Sequence, residues 1–488
     1  MAGGLDIDRL RNGPILSTLL RLSVPNVIAM VVTVMVGIAE TFYVGRLGTT
    51  PLAALGLVFP FAILTSTMSA GAMGGGVSSA IARAFGASDA ARARTLALHS
   101  ILIGVSMGVV YSLLFLGFGP LLYRALGGHG AVLDEAVHYS TVLFSGALLV
   151  WTSNTLASVL RGTGNMRVPS TGIVGIGVLQ TLLGGLFAFG AGPIPGLGMV
   201  GVALGHVLAH VAGVAFFAWC LTGGRARLTL AFERFQVRRE LLSDILRVGA
   251  LACLSPVQTV LTMLVFTALV ARLGEVALAG YSIGQRLEFL VTTISFGVGV
   301  ASVPMVGMAI GAGDVARARR VAWTAALVAG AVTAAIGLLV AVFPDLWARM
   351  FSRDEAVLDV ARQYLRIGGP AFAVMCAGLT LYFSSQGAGR MLGPVMAGTM
   401  RLAVAGLAGL WLASRGAPAW QYFVLAAVAM ITYGLSMAAA VRFTSWQPAG
   451  GTGPGAALTG GAAPGSALSG GPAPAAPSAA NPGVRRGG

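Results

Sequence analysis

Gly162-Thr163-Gly164-Asn165-Met166-Arg167-Val168-Pro169 looks like an ordinary turn until it is set beside Gly387-Ala388-Gly389-Arg390-Met391-Leu392-Gly393-Pro394. Gly, Gly, Met and Pro recur there at an offset of 225 residues. Gly86, Asp89, Arg92, Ala93 and Arg94 recur at the same offset as Gly311, Asp314, Arg317, Ala318 and Arg319. Arg46-Leu47-Gly48 with Leu52-Ala53 recurs as Arg272-Leu273-Gly274 with Leu278-Ala279, at 226. Three blocks that hold one register over more than a hundred residues indicate a chain made of two similar halves. Parallel duplication of helical halves is a common plan among transporters.

The composition says what solvent those halves occupy. Hydrophobic residues make up 56% of the chain and charged residues 10%, against roughly a quarter charged in a soluble domain. A polytopic membrane protein follows. All 31 basic residues are arginines, which reflects base composition rather than a need for guanidinium chemistry. The net charge of +15 would suit nucleic acid if it lay on one soluble face, but the arginines sit in short segments between apolar runs, so no nucleic-acid partner is expected. Cys220, Cys253 and Cys376 lie in apolar stretches without paired spacing, which argues against a disulfide framework or thiolate metal site. No cleavable signal peptide is evident between Met1 and Arg21, so the first span is expected to direct insertion.

Crossing a bilayer takes about 20 apolar residues, and twelve such spans are expected, giving an all-α polytopic membrane protein. They fall near 21–45, 53–82, 95–118, 135–160, 168–190, 197–221, 245–271, 277–309, 321–343, 357–386, 392–413 and 419–442. This divides the chain into an N-terminal segment (1–20), a first lobe of six helices (21–221), a linker (222–244), a second lobe of six (245–443) and a Gly/Ala/Pro-rich tail (444–488) expected to be disordered. With both termini cytoplasmic, 21 arginines fall inside and eight outside, as the positive-inside rule favours. A bacterial inner (plasma) membrane is the expected location. Phe232, Phe235, Val237 and Leu241, set among arginines in the linker, suggest a helix on the inner leaflet.

Glu40 stands out chemically, about 8 Å inside the outer end of the first span. An ionised carboxylate there costs a few kcal/mol unless it meets a wet cavity, a cation or a partner. It is therefore the expected ion-coupling residue, where a proton, a sodium ion or a cationic substrate competes; the plainer reading is a structural carboxylate bonded between helices. Trp151, Asn154 and Gln180 are candidates to line a cavity with Glu40, with interhelical hydrogen bonding an equal explanation. In span eight, Arg286 and Glu288 point about 200° apart and cannot neutralise each other. Gln285, Arg286, Glu288 and Arg401 join the cavity candidates, and Glu288 and Arg401, both near the midplane, are expected to pair. His206 and His210 share a helix face, but without a third ligand type packing is favoured over metal.

Gly196-Leu197-Gly198-Met199-Val200-Gly201 fits a dinucleotide fingerprint on paper, yet it follows Pro193 and Pro195 and opens a span, with no strand before it. It reads as a turn. HExxH and Walker A are missing from the sequence, so an enzyme has little support.

From about residue 15 to 445 the chain resembles the multidrug and toxic compound extrusion (MATE) transporters. The resemblance rests on Pro25, the segment Glu40-Thr41-Phe42-Tyr43-Val44-Gly45-Arg46-Leu47-Gly48, Arg161-Gly162-Thr163-Gly164-Asn165, the Pro195-to-Gly201 turn, and Gly284 to Glu288 leading to Gly311-Ala312-Gly313-Asp314. It implies two six-helix lobes related by a pseudo-two-fold axis along the membrane normal. It also implies export of a small-molecule substrate driven by H+ or Na+ entry, with no other cofactor, and places Tyr43 among the cavity candidates. Arg286-x-Glu288 looks most like the DNA-damage-inducible branch. Two departures matter: the first-span acid, usually aspartate, is Glu40, and Gly184 and Gln180 stand where a second acid and an asparagine are expected. The acids of sodium-coupled relatives are absent near Gln258, Thr259 and Met375, which favours protons. An exporter or flippase of lipid-linked or metabolite substrates is the alternative.

Overall fold

A bilayer core offers no water to backbone groups, so a spanning chain must satisfy them internally, and every element here does so as a helix. The computed structural model describes residues 7–193, 195–223, 227–230 and 236–446. The first half comprises α1 (Ile7–Asn12), α2 (Ile15–Leu47), α3 (Thr49–Thr67), a π-helical turn (Met68–Met73), α4 (Gly74–Gly86), α5 (Ala90–Ala125), α6 (Gly130–Ser145), α7 (Ala147–Gly162), α8 (Arg167–Phe189) and α9 (Gly198–Thr222). The second comprises α10 (Arg239–Ala271), α11 (Glu275–Gly311), α12 (Val315–Val342), α13 (Asp345–Ala348), α14 (Glu355–Gly368), α15 (Ala371–Gly387), α16 (Leu392–Ser414) and α17 (Ala419–Phe443).

Among the described residues ten helices are long and apolar enough to span, with α3, the π turn and α4 running as one. The pairs α6–α7 and α14–α15 are bent by 42° and 57°, and with each pair taken as one span the total is twelve, six per lobe. Helices begin earlier than the apolar runs do. α2 starts at Ile15 and α10 at Arg239, so part of the N-terminal segment and the end of the 222–244 linker are helical. Of the expected inner-leaflet helix, Phe232 and Phe235 lie outside the described residues, and Leu241 already belongs to α10. The tail from residue 447 also lies outside them.

The repeated motifs mark turns. Gly164 and Gly389 have φ of +79° and +73°, and Gly48 and Gly274 of +132° and +102°, conformations that a side chain disfavours. Asp89 accepts from Arg92 N at 2.8 Å and Asp314 from Arg317 N at 2.7 Å, the same N-cap in each copy. Ser88, the one described non-glycine with positive φ (+61°), answers Gly313 (+81°) in the other half. A further correspondence locates the symmetry axis. A Cβ on Gly86 would overlap the Met308 carbonyl, and one on Gly311 would overlap the Arg83 carbonyl. Each pair is the other displaced by 225, so α4 and α11 cross next to the two-fold.

Among the described residues the hydrogen bonds between the halves gather at the end carrying α1, Trp446 and the linker. There Asn26 Nδ2 donates to Gly297 O at 2.8 Å, Gln386 Nε2 donates to Ala72 O at 2.7 Å and Gly71 O at 3.2 Å, and Ser79 Oγ donates to Gly387 O at 3.3 Å. Asp244 takes Arg83 at 2.7 Å and Arg92 at 3.1 Å, and Arg317 Nη2 donates to Gly13 O at 2.7 Å. Among the described residues every inter-lobe hydrogen bond lies at this end. One hydrophobic core joins the first lobe to Leu241–Cys253, Val298–Ala329 and Leu381–Ala397 of the second. A second core, built on Phe266, Tyr281, Tyr364 and Phe423, belongs to the second lobe alone. The lobes are therefore fused at the linker end and separate beyond it.

Candidate functional site

Glu40 stands 25 residues along α2, in the half where the lobes are apart. It is half-buried against α8, and Gln180 Nε2 donates to its Oε1 at 2.6 Å. No arginine pairs with it among the described residues. The carboxylate thus has a neutral amide partner, and a positive ligand is not excluded by a resident one. One helical turn on, Tyr43 packs beside Gly185 and edge-on to Phe189, with ring centroids 5.8 Å apart. Gly184 is buried where α8 meets α9, since a Cβ on the facing Gly205 would overlap its backbone.

The other two candidates of the first lobe are held elsewhere. Asn154 Nδ2 donates to Ser69 Oγ of the π turn at 2.8 Å. Trp151 is fully buried against Tyr111, with centroids 5.1 Å apart, and its Nε1 has no partner. Neither is bonded to Glu40 or Gln180. Trp151 is thereby corrected from cavity lining to core, because its whole ring is packed away against Tyr111 of α5. His206 and His210 stack with centroids 4.4 Å apart, and His210 Nδ1 lies 2.9 Å from the His206 carbonyl. Among the described residues no group of three metal-ligating side chains surrounds them.

The second lobe does bring two distant candidates together. Arg401 Nη2 of α16 lies 3.4 Å from Glu288 Oε1 of α11, with the side chains 14% and 19% exposed. Tyr364 of α14 donates to Glu288 Oε2 at 3.0 Å, and Arg401 sits 5.7 Å above the Tyr433 ring. Gln285 donates to Tyr281 OH at 3.1 Å, and Tyr281 meets Tyr364 edge-on at 5.2 Å. The acid is neutralised, hydrogen-bonded and walled by aromatics. Arg286, expected to point away from Glu288, is exposed and lies over Phe351 at 5.1 Å.

Tyr364, Tyr281 and Tyr433 escaped the sequence reading. The available signal was a polar-tipped aromatic inside an apolar span, which needs a hydrogen-bond partner when buried; which tyrosines meet the acid depends on packing of helices far apart in sequence.

Comparison with known proteins gives a consistent picture. The MatE family model matches residues 25–184 and 252–412, one copy in each half. A FAD transporter of Shewanella oneidensis is 26% identical over 378 residues, covering 77% of this chain and 82% of the relative. A probable multidrug resistance protein NorM of Thermotoga maritima is 25% identical over 421 residues, covering 81% and 88%. A solved structure described as the outward-facing conformation of a multidrug resistance MATE family transporter of the MOP superfamily aligns with a TM-score of 0.78 at 25% identity, covering 90% of this chain and all of the other.

Proposed function

The chain belongs to the MATE family of multi-pass membrane transporters, and on that premise we propose that it is a secondary antiporter that exports amphiphilic, cationic organic compounds in exchange for protons. The observation that carries the reading is the Glu40–Gln180 pair: a half-buried carboxylate, bonded at 2.6 Å to a neutral amide, in the half of the molecule where the lobes are apart. The arginine bias supports a cytoplasmic linker end, in what we take to be a bacterial plasma membrane. The fused linker end and separate far halves then correspond to an outward-open state.

In that state Glu40 is reached from outside. Protonation removes its charge, so a bound cation loses its counter-charge and leaves. The bond from Gln180 falls at the same time from charge-assisted to neutral, roughly half as strong, which loosens the α2–α8 seam and favours return to the inward-open state. A ligand can drive such an exchange only through different affinity for the two states, and competition at one carboxylate supplies it. The test is efflux of a fluorescent organic cation from proteoliposomes under an imposed proton gradient and then a sodium gradient. Export that follows protons and is lost in Glu40→Gln supports the reading; wild-type export by Glu40→Gln against a gradient overturns it.

A second reading, export of a metabolite, is favoured by the likeness to the FAD transporter. Efflux of a flavin nucleotide that is independent of Glu40, with no transport of the organic cation, would favour it.

A further inference from the structure

The first half carries one residue more than the second, and it is lodged in the π turn. The repeat offset is 226 at Gly48 and Gly274 but 225 at Gly86 and Gly311. Between those glycines run two equivalent spans, Thr49–Gly86 with 38 residues and Glu275–Gly311 with 37. α11 fills its span as an uninterrupted α-helix, whereas the other is interrupted at Met68–Met73, where Gly74 N–H reaches back five residues to Ser69 O. A turn closed by i→i+5 bonds takes up one extra residue, so α3 and α4 face as they would without it.

The second lobe holds this turn. Gln386 of α15, wholly buried, donates through Nε2 to Ala72 O at 2.7 Å and Gly71 O at 3.2 Å. Counted back from Gly86 and Gly311, Ala72 O answers Gly297 O, which takes Asn26 Nδ2 of the first lobe at 2.8 Å. Each lobe thus lends one amide to equivalent carbonyls, but only the first-lobe acceptor sits in a turn able to change its hydrogen-bond register. We propose that the π turn is a switch positioned by Gln386: it persists while the linker end is closed and relaxes to α geometry when the second lobe withdraws the amide. With the extra residue wound in, α3 turns by about 100° and advances about 1.5 Å, each residue taking the place of the one before it. Exposed Phe59 moves into the place of buried Val58, and buried Ala54 into that of exposed Ala53. α3 packs on α2 and α6, so opening at the linker end reaches the outer half of the first lobe, beside the helix that carries Glu40. The switch requires that the linker end opens, as the transport reading has it, but no ion, substrate or role for Glu40.

The test reads side-chain exposure rather than transport, so its failure is distinct from failure of that reading. It uses the purified full chain with Cys220, Cys253 and Cys376 replaced by Ala and one reporter thiol, Ala54→Cys or Phe59→Cys, timed against a maleimide in detergent. Gln386→Ala should speed labelling of the Ala54→Cys reporter several-fold and slow that of Phe59→Cys. Deleting Ala70 as well gives the span the 37 residues of α11 and should return both rates to those of the parent, because no residue is left to wind in. General loosening from lost hydrogen bonds would instead speed both reporters and survive the deletion, and either result overturns the switch, as do unchanged rates in Gln386→Ala. Should the deletion variant fail to fold, the two reporters decide alone: opposite shifts uphold the rotation, and shifts in one direction overturn it.

Discussion

Glu40 and Glu288 sit in two copies of one helical plan, and their surroundings share little. Glu40 has a neutral amide and, among the described residues, no cation. Glu288 has an arginine, a tyrosine hydroxyl and a shell of rings. Nor do the acids occupy equivalent places: at the repeat offsets Glu40 answers Phe266 and Glu288 answers Ala62, while Gln180 answers Ala405 and Arg401 answers Ile176. The duplication kept turns, caps and the crossing at Gly86 and Gly311, which backbone geometry enforces, and left the polar interior to diverge. An acid already neutralised by a fixed arginine suits a structural post; an acid with only an amide suits exchange of a mobile cation.

The contrast is broken most severely by Glu40→Gln, expected to lower proton-driven efflux by at least tenfold while leaving the melting temperature near wild type. Glu288→Gln should do the reverse, because removing one member of a mostly buried pair strands the other at a cost of about 3 kcal/mol. Combining it with Arg401→Met should recover part of that loss, and a double-mutant cycle by denaturant or thermal unfolding should give a coupling of about 1–3 kcal/mol. Zero coupling would mean that the 3.4 Å approach is incidental. A milder effect is expected at the seam. Asp244→Asn removes the carboxylate that both Arg83 and Arg92 engage across the lobes, and thiol labelling of buried Cys253, with Cys220 and Cys376 replaced by Ala, should accelerate several-fold. Labelling at the wild-type rate would show that the ion pairs do not hold this end shut.

The smallest effect is expected at the far end of the second lobe, where Arg362 bonds Asp345 at 2.7 Å and holds its carboxyl below the usual aspartate range. A depressed folded-state pKa contributes stability above the unfolded value of about 3.9, and that contribution disappears as pH falls through the folded value. The melting temperature of wild type should therefore drop slightly more than that of Asp345→Asn on acidification below about pH 4. Parallel curves would assign the arginine's role to Glu355 and Asp359, which it also bonds.

Spans, lobes and the pairing of Glu288 with Arg401 were legible because depth in a membrane can be counted along a helix, and two midplane charges of opposite sign have few other partners. Trp151 was misplaced because depth does not say which neighbour a side chain packs against. Trp151 shares its level with polar groups yet points into the core.

The sequence by itself determined a duplicated, all-helical membrane chain, with its turns fixed by glycines at positive φ and its acids fixed in depth, because apolar length and local backbone sterics are properties of short segments. Only the tertiary structure decided that the lobes fuse at the linker end, and that Glu40 meets an amide while Glu288 meets an arginine. Those outcomes depend on how helices rotate and cross, which is set by the packing of residues hundreds of positions apart.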